Sequence, residues 1–129
     1  MAPTAREALP LLLDSVRDPA VREIAWETAV DSSTYLTKDP LADVKTFLED
    51  KNAGVRCVTA WVLHCARAME IKQVIAVQVK TLKAPDSWAR RQAARFWAGL
   101  ERTVKTRRRR YRQRSKIRMK ASERQLPKR

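Results

Sequence analysis

The chain has 129 residues, 44% of them hydrophobic, and its two glycines and six prolines favour helices over the many tight turns of a β-sandwich. Its net charge of +14 is segregated, since residues 1–103 hold 15 Lys/Arg against 13 Asp/Glu, whereas residues 104–129 hold 13 against one. We therefore expect one compact domain or a short repeat array. The charge of the tail points to a polyanionic partner such as nucleic acid, an anionic membrane or an acidic protein surface.

Helices are predicted in three pairs, over residues 4–36, 39–68 and 70–104. The first pair opens with Thr4 and Glu7, which have the spacing of a capping box. The second opens with Asp39 and Pro40, a capping residue followed by a proline. The third opens with a stripe of apolar residues at helical spacing: Ile71, Val74, Ile75, Val79 and Leu82. Its β-branched residues also suit a strand, but its length and the surrounding helices favour a helix.

The second helix of each pair begins with a similar segment, and the three segments recur at an offset of 34 residues. They are DPAVREIAWETAV, NAGVRCVTAWVLH and DSWARRQAARFWA. The residues that open them have side-chain oxygens suited to capping a helix: Asp18, Asn52 and Asp86. The fifth position is always an arginine: Arg22, Arg56 and Arg90. The eighth is always small, so each helix is predicted to have one closely packed face.

The segment ALPLLLDSVRDPAVREIAWETA resembles the HEAT-repeat pattern. In that pattern leucines surround a proline in the first helix, a short turn carries Asp, and Val-Arg with spaced alanines follows in the second helix. The third pair departs from it with Ala89 where Val is usual. The resemblance covers about 100 residues and implies an all-α fold, a short α-solenoid of three HEAT-like units. By analogy with the family, the recurring residues are structural: Asp18, Arg22, Asn52, Arg56, Asp86 and Arg90. The alternative is an ordinary helical bundle whose helices share similar caps.

No catalytic or metal site emerges from the sequence. Cys57, His64 and Cys65 lie together in the second pair, but the chain has one histidine, which leaves too few ligands for tetrahedral zinc. We interpret them as buried side chains with reduced thiols. The motifs GxSxG, GxxxxGK[ST], GxGxxG and HExxH are absent. We therefore expect no enzyme, cofactor, metal or small-molecule substrate.

Tryptophans are numerous for this length. Three lie in the second helices of the pairs and are expected to pack in the core: Trp26, Trp61 and Trp97. Trp88 lies beside Arg90 and Arg91 in the first turn of the last helix, where the alternative is a partly exposed ring that stacks on a base or anchors a partner.

The run RRRRYRQRSKIRMK extends from Arg107 to Lys120, and no glycine or proline follows it until Pro127. Its helix-forming residues permit the last helix to continue to about residue 120. Repulsion between like charges predicts that this helix frays in free solution and becomes ordered against a polyanion. Arginines outnumber lysines nine to four in residues 104–129, and guanidinium groups pair with phosphate bidentately and stack on bases. This composition resembles the extensions of ribosomal proteins, which thread into folded RNA.

These features predict a non-catalytic RNA-binding component or assembly factor of a ribonucleoprotein particle. Residues 1–104 form the repeat domain that contacts protein neighbours, and residues 105–129 form the basic extension. The predicted nucleic-acid contacts are Lys105, Arg107, Arg108, Arg109, Arg110, Tyr111, Arg112, Arg114, Lys116, Arg118 and Lys120, with Trp88, Arg90 and Arg91 before them. If exposed, Ala76, Val77 and Val79 would mark a surface for a protein neighbour.

Other partners stay open at this point. One alternative is a protein–protein scaffold or adaptor whose extension docks on an acidic protein surface, such as that of a microtubule. Others are a DNA-binding HEAT-repeat protein, a nuclear import signal and a solvated tail without a partner. A membrane is disfavoured because the run lacks an apolar face. The N-terminal apolar run is short and ends at Asp14, which does not suit a signal peptide or a membrane span, and early acids disfavour a mitochondrial presequence. We expect an intracellular protein that is not secreted, in a compartment that the sequence leaves open.

Overall fold

The computed structural model describes residues 4–36 and 39–125, and every regular element in these ranges is helical. This confirms the predicted all-α class. A 3-10 turn, Thr46–Glu49, follows the third helix directly. The described residues form six α-helices: α1 (Ala5–Ser15), α2 (Arg22–Ser33), α3 (Ala42–Lys45), α4 (Ala53–Cys65), α5 (Ile71–Thr81) and α6 (Ser87–Arg124).

The chain divides into two compact units, which we call the N-terminal unit (Met1–Phe96) and the C-terminal unit (Trp97–Arg129). Helix α6 begins in the first and continues into the second. The sequence-based boundary after residue 104 marks where the basic extension begins, and it stays a prediction. Residues 126–129 of that extension lie outside the described part of the chain.

Helix α4 is the most deeply buried element of the N-terminal unit. It packs against α2, α5 and the 3-10 turn, while α1 packs mainly against α2. Its fully buried apolar side chains include Val55, Val58, Val62 and Leu63, which meet Leu9, Leu13, Ala29, Leu41 and Val44 in one core. Each such valine or leucine contributes about 1.5–3 kcal/mol by burial. This central position explains why the sequence of α4 is apolar on nearly all sides.

Three of the predicted helix caps are present. Thr4 Oγ1 accepts from the backbone N–H of Glu7, whose carboxylate accepts from the N–H of Thr4, so α1 starts with a capping box. Asn52 Oδ1 accepts from the N–H of Val55 at 3.2 Å and caps α4. Asp86 Oδ1 accepts from the N–H of Trp88 at 2.9 Å at the start of α6.

Asp18 and Asp39 do not cap helices as predicted, because each bonds to a backbone N–H that lies before the first residue of the next helix. Asp18 Oδ1 accepts from Ala20 N–H at 2.9 Å, and α2 begins later, at Arg22. Asp39 Oδ1 accepts from Leu41 N–H at 3.0 Å, so the predicted helix becomes the short α3 followed by a 3-10 turn. Asx turns and N-caps favour the same residue types, and the sequence alone does not separate them.

Helix α4 is followed by a residue in the left-handed conformation that is not a glycine. Arg67 has φ of 57°, the N–H of Ala68 donates to Leu63 O at 2.8 Å, and the N–H of Arg67 donates to His64 O at 3.1 Å. These two bonds are those of the Schellman motif, which usually places glycine at this position. Arg67 therefore carries backbone strain that a glycine would relieve.

Replacing Arg67 with glycine is expected to raise the free energy of unfolding by about 0.5–1 kcal/mol, the relief of strain less the extra entropy of an unfolded glycine. Urea unfolding of the full chain measures this change. Arg67→Ala is the matched control, since it removes the same side chain but keeps a Cβ, and it should give no gain. Equal gains for both variants would assign the effect to the side chain instead of the backbone.

A salt bridge joins the turn after α1 to the turn before α4. The Arg17 guanidinium contacts Asp50 at 2.5 Å and Asp14 at 2.9 Å. The Asp50 carboxylate also accepts from the N–H of Asn52 at 2.8 Å, and its side chain is only 14% exposed. The hydrogen bond from Arg17 is the main cause that lowers the pKa of Asp50 below its ordinary value.

Because the pKa of Asp50 is lowered on folding, the unfolded chain binds more protons near pH 4. The stabilisation from this carboxylate is therefore present above about pH 4 and is lost as the pH falls through the lowered pKa. Asp50→Asn is expected to cost about 1–2 kcal/mol at pH 7 and less at pH 3, measured by denaturant unfolding at both pH values. Asp14→Asn, at a carboxylate that is 69% exposed, should cost less at pH 7. A pH-independent cost at Asp50 would contradict this account.

Candidate nucleic-acid interface

The basic extension is helical throughout its described part. Helix α6 continues to Arg124, four residues beyond the predicted end, because the segment consists largely of Arg, Lys, Gln, Met and Ala. From 101 to 125 every residue is exposed except Ser115, which is half-buried. All the predicted contacts from Lys105 to Lys120 therefore lie on the surface of one helix, and the Tyr111 ring is 74% exposed.

The cations of this helix are not neutralised by carboxylates of the same unit. Among the described residues 97–125, Glu101 and Glu123 are the only acids, and no ion pair joins either to a basic side chain. Closely spaced unpaired cations repel one another, and a dense external anion would remove that repulsion. The helix is thus an electrostatically unfavourable element that a polyanion would stabilise.

Helical periodicity arranges most of these cations in two rows, at about 100° of rotation per residue. We call Lys105, Arg109, Arg112, Lys116 and Lys120 the first row, and Arg107, Arg110, Arg114 and Arg118 the second row. The row centres are separated by about 165° around the helix axis. Between them runs a mostly uncharged stripe: Val104, Tyr111, Ser115, Met119 and Ser122, interrupted by Arg108. The rows were not predicted from the sequence, although the spacing of the cations contains them.

The predicted fraying of this helix in free solution stays a prediction. Circular dichroism of the full chain should show helical signal increasing when a folded RNA is added, because bound phosphates remove the repulsion between neighbouring cations. A spectrum that does not change, at an RNA concentration that saturates binding, would mean that the free helix is already complete.

Trp88 lies in the core of the N-terminal unit, and its interpretation as an exposed base-stacking ring is wrong. It is 2% exposed, and its indole N–H donates to Glu23 Oε1 at 2.7 Å. The Arg22 guanidinium lies 4.9 Å from the centroid of the ring. A Cβ at Gly54 would come within 2.9 Å of Trp88 Cζ3, so the ring packs against the backbone of α4. Trp88 therefore holds the start of α6 against α2 and α4.

Glu23 was not identified from the sequence, yet its carboxylate receives donors from three residues of α6. Besides Trp88, Gln92 Nε2 and Arg95 Nη1 donate to it, each at 3.4 Å. A buried tryptophan needs an acceptor for its N–H, which was the available signal, but the sequence does not reveal which acid supplies it. This cluster serves the packing of α6, and none of its members belongs to the candidate interface.

Arg90 was predicted both as a nucleic-acid contact and as a structural position, and the structure gives it a structural contact. Its guanidinium donates to the carbonyls of Ala84 at 2.6 Å and Pro85 at 2.8 Å. Arg56 makes the equivalent contacts with the carbonyls of Asp50 and Lys51 at 2.6 and 3.0 Å. Each arginine thus fastens the turn before its own helix, six and five residues upstream. Arg22 differs, because its guanidinium contacts Trp88 instead. Arg91 is exposed, and its predicted contact with nucleic acid stays a prediction.

Aromatic side chains connect α2, α4 and α6 in the N-terminal unit. The Trp26 and Trp61 rings meet edge-to-face with centroids 5.1 Å apart, and Trp61 meets Phe96 in the same way at 5.6 Å. Trp26 and Trp61 are half-buried, and Trp26 packs against the core, whereas Trp97 belongs to the C-terminal unit. The members of this ladder recur at intervals close to the 34-residue offset.

The cysteines have the character of packing residues. Cys57 is buried, its thiol donates to Gln78 Oε1 at 3.0 Å, and Gln78 Nε2 donates to the Cys57 carbonyl at 3.0 Å. Burial raises the pKa of Cys57 to about 12, which keeps the thiol protonated and unreactive. Burial also raises the pKa of Cys65. Across residues 4–36 and 39–125, no group of three His, Cys, Asp or Glu side chains is arranged to hold a metal ion.

In the part of the chain that the structure describes, no helix combines the length and apolar character that a membrane span requires. Comparisons with known protein families, with curated proteins and with solved structures found no match to this chain.

Proposed function

We propose that this chain binds RNA through its basic extension, as a non-catalytic component or assembly factor of a ribonucleoprotein particle. One observation carries the proposal: thirteen Lys/Arg and a single acid lie in residues 104–129, and the described part of that segment is an exposed helix. A charge density of this kind matches a phosphate backbone, whose negative charges are similarly close together.

Arginine favours RNA among the possible polyanions, because its planar guanidinium pairs bidentately with phosphate and stacks on unpaired bases. The exposed Tyr111 adds an aromatic surface for such stacking. Contacts with about 6–8 phosphates would give a logarithmic salt slope of roughly −4 to −6 on single strands. Phosphate contacts position a protein without reading sequence, so these contacts do not imply sequence specificity.

For the N-terminal unit, we propose a short HEAT-like array. Two observations support it over an ordinary helical bundle: the equivalent contacts of Arg56 and Arg90, and the aromatic ladder that joins α2, α4 and α6. Both relate successive helix pairs by nearly the same sequence offset. A bundle with coincidentally similar caps requires neither.

The outer surface of α5 supports contact with a protein neighbour. Val74 and Gln78 are fully buried, whereas Ile71, Val79 and Leu82 are each about two-fifths exposed. Of the three residues proposed from the sequence, Ala76 and Val79 are exposed and Val77 is half-buried. Terminal units of a repeat array need either a polar outer surface or a neighbour that covers them.

Co-purification of the full chain at moderate salt, with and without nuclease, tests the proposal. RNA is expected to accompany the chain, and nuclease should release the proteins held through that RNA. If acidic proteins stay bound after nuclease and no nucleic acid is retained, the extension docks on protein and the proposal fails. Preferential recovery of DNA, confirmed by competition between total RNA and duplex DNA, would replace RNA by DNA.

A further inference from the structure

We propose that the basic extension lies within a groove of a duplex nucleic acid, with its two cationic rows contacting the two opposing phosphate backbones. This inference rests on the proposed function and names the form of nucleic acid that the extension recognises. It depends on the placement of cations around the helix, which the net charge alone does not specify.

The first row has five cations between Lys105 and Lys120, along about 22 Å of helix, and the second has four between Arg107 and Arg118. With the rows about 165° apart, a helix lying on a single strand or a flat acidic surface engages one row and leaves the other in solvent. Two opposed rows of similar length instead suit two walls of negative charge, which are the backbones on either side of a duplex groove.

The dimensions agree with this placement. A helix with its side chains is about 10–12 Å across, and the major groove of B-form DNA is about 12 Å wide. The major groove of regular A-form RNA is too deep and narrow for such a helix. An RNA site therefore needs an internal loop or bulge that widens the groove, whereas B-form DNA offers the width directly.

The stripe between the rows would face the floor of the groove. Tyr111 and Ser115 supply hydroxyl groups for base edges, Met119 supplies an apolar surface, and Arg108 on the same stripe suits the O6 and N7 atoms of guanine. On the opposite side of the helix lie Gln113 and Ile117, which would face away from the floor. The two sides of the helix that lie between the rows are therefore not equivalent in this arrangement.

Binding of the full chain to four labelled probes of equal length tests the inference: an RNA duplex with an internal loop, a regular RNA duplex, a B-form DNA duplex and a single-stranded RNA. We expect the looped RNA to bind at least about tenfold more tightly than the regular RNA duplex and the single strand. Tightest binding to the DNA duplex would support the groove but would replace RNA by DNA in the proposed function. Equal or tighter binding to the single strand would overturn the inference but leave RNA binding intact. Binding to none of the four would overturn the proposed function itself.

Two matched variants examine the rows on the best duplex probe. One changes Lys105, Arg109, Arg112 and Lys116 to Gln, and the other changes Arg107, Arg110, Arg114 and Arg118 to Gln. Both remove four charges, and each is expected to flatten the logarithmic salt slope by roughly 3. A loss confined to one row would show that the helix binds on one side and would overturn the inference.

A pair of single substitutions separates groove insertion from the general effect of charge. Ser115→Glu places a carboxylate on the stripe between the rows, and Gln113→Glu places the same charge on the opposite side of the helix. We expect Ser115→Glu to weaken duplex binding about tenfold more than Gln113→Glu does. Equal losses would mean that the overall electrostatic field of the protein determines affinity, and that insertion into a groove does not. Circular dichroism of both variants in the bound state checks that the helix is retained.

Discussion

A chain that ends at Val104 is expected to bind folded RNA at least about 100-fold more weakly than the full chain at physiological salt. The deletion removes thirteen Lys/Arg and one acid, and it leaves a body with 15 Lys/Arg and 13 Asp/Glu. Most of the counterion release that drives binding is lost with the deleted cations. Fluorescence anisotropy with a labelled RNA, at several salt concentrations, measures both the affinity and its salt slope.

The stability of the N-terminal unit should not change in this truncated chain, because every buried residue of the core lies at or before Phe96. Equal unfolding midpoints for the two chains serve as the folding control. A second control changes the nine arginines of residues 104–129 to lysine, which keeps the charge but removes the guanidinium groups. It should retain much of the salt slope and lose affinity by roughly tenfold. Undiminished RNA affinity in the truncated chain would contradict the proposal.

Trp88→Ala is expected to lower the free energy of unfolding by about 3–5 kcal/mol, the usual cost of removing a buried tryptophan. The ring is 2% exposed, donates to Glu23 and lies beneath Arg22. Its loss leaves a cavity between α6, α2 and α4. Denaturant unfolding measures the change, and Trp88→Phe, which keeps most of the ring but loses the N–H, should cost less.

Gly54→Ala tests the same contact from the other side. The added Cβ would lie 2.9 Å from Trp88 Cζ3, an overlap costing about 1–3 kcal/mol, against a gain of about 1 kcal/mol from helix propensity. In the Trp88→Ala background the overlap with the ring is gone and Asn52 Oδ1, at 3.1 Å, is the close neighbour that remains, so the same substitution should cost less. Gly99→Ala is the control, since no atom lies within 4 Å of its added Cβ. An effect of Gly54→Ala that is equal in both backgrounds would disprove the contact.

The parts of the fold predicted from sequence are those decided by local chemistry. The capping box at Thr4, the cap at Asn52 and the start of α6 after Asp86 each depend on a side chain bonding to a neighbouring backbone N–H. Asp18 and Asp39 were misplaced because turns and helix caps use the same residues. Local sequence preference therefore predicted the presence of the helices more reliably than the residues at which they begin.

Burial at long range was not predictable in the same way. The position of Trp88 depends on Glu23, 65 residues away along the chain, and on the missing side chain at Gly54. From sequence, an aromatic residue beside Arg90 and Arg91 also suited a nucleic-acid surface. The acceptor of a buried indole N–H depends on how three helices pack together. The residue pattern of a single helix does not contain that information.

The charge of the candidate interface and its capacity to form a helix were predicted, because both follow from composition. Its two rows follow from composition combined with an uninterrupted helix, and α6 supplies that helix as far as Arg124. The identity of the nucleic acid does not follow, because phosphate contacts are common to every sequence and to both RNA and DNA. Base-edge contacts from the stripe between the rows are what would confer selectivity.

Competition between a folded RNA and polyglutamate of equal total charge, for the full chain at physiological salt, tests the central claim most directly. We expect RNA to stay bound when polyglutamate is equimolar in charge, with a logarithmic salt slope of roughly −4 to −6, since guanidinium groups match phosphates in geometry as well as in sign. Displacement of RNA by polyglutamate charge for charge, or retention of polyglutamate by a chain that binds no RNA, would contradict the account.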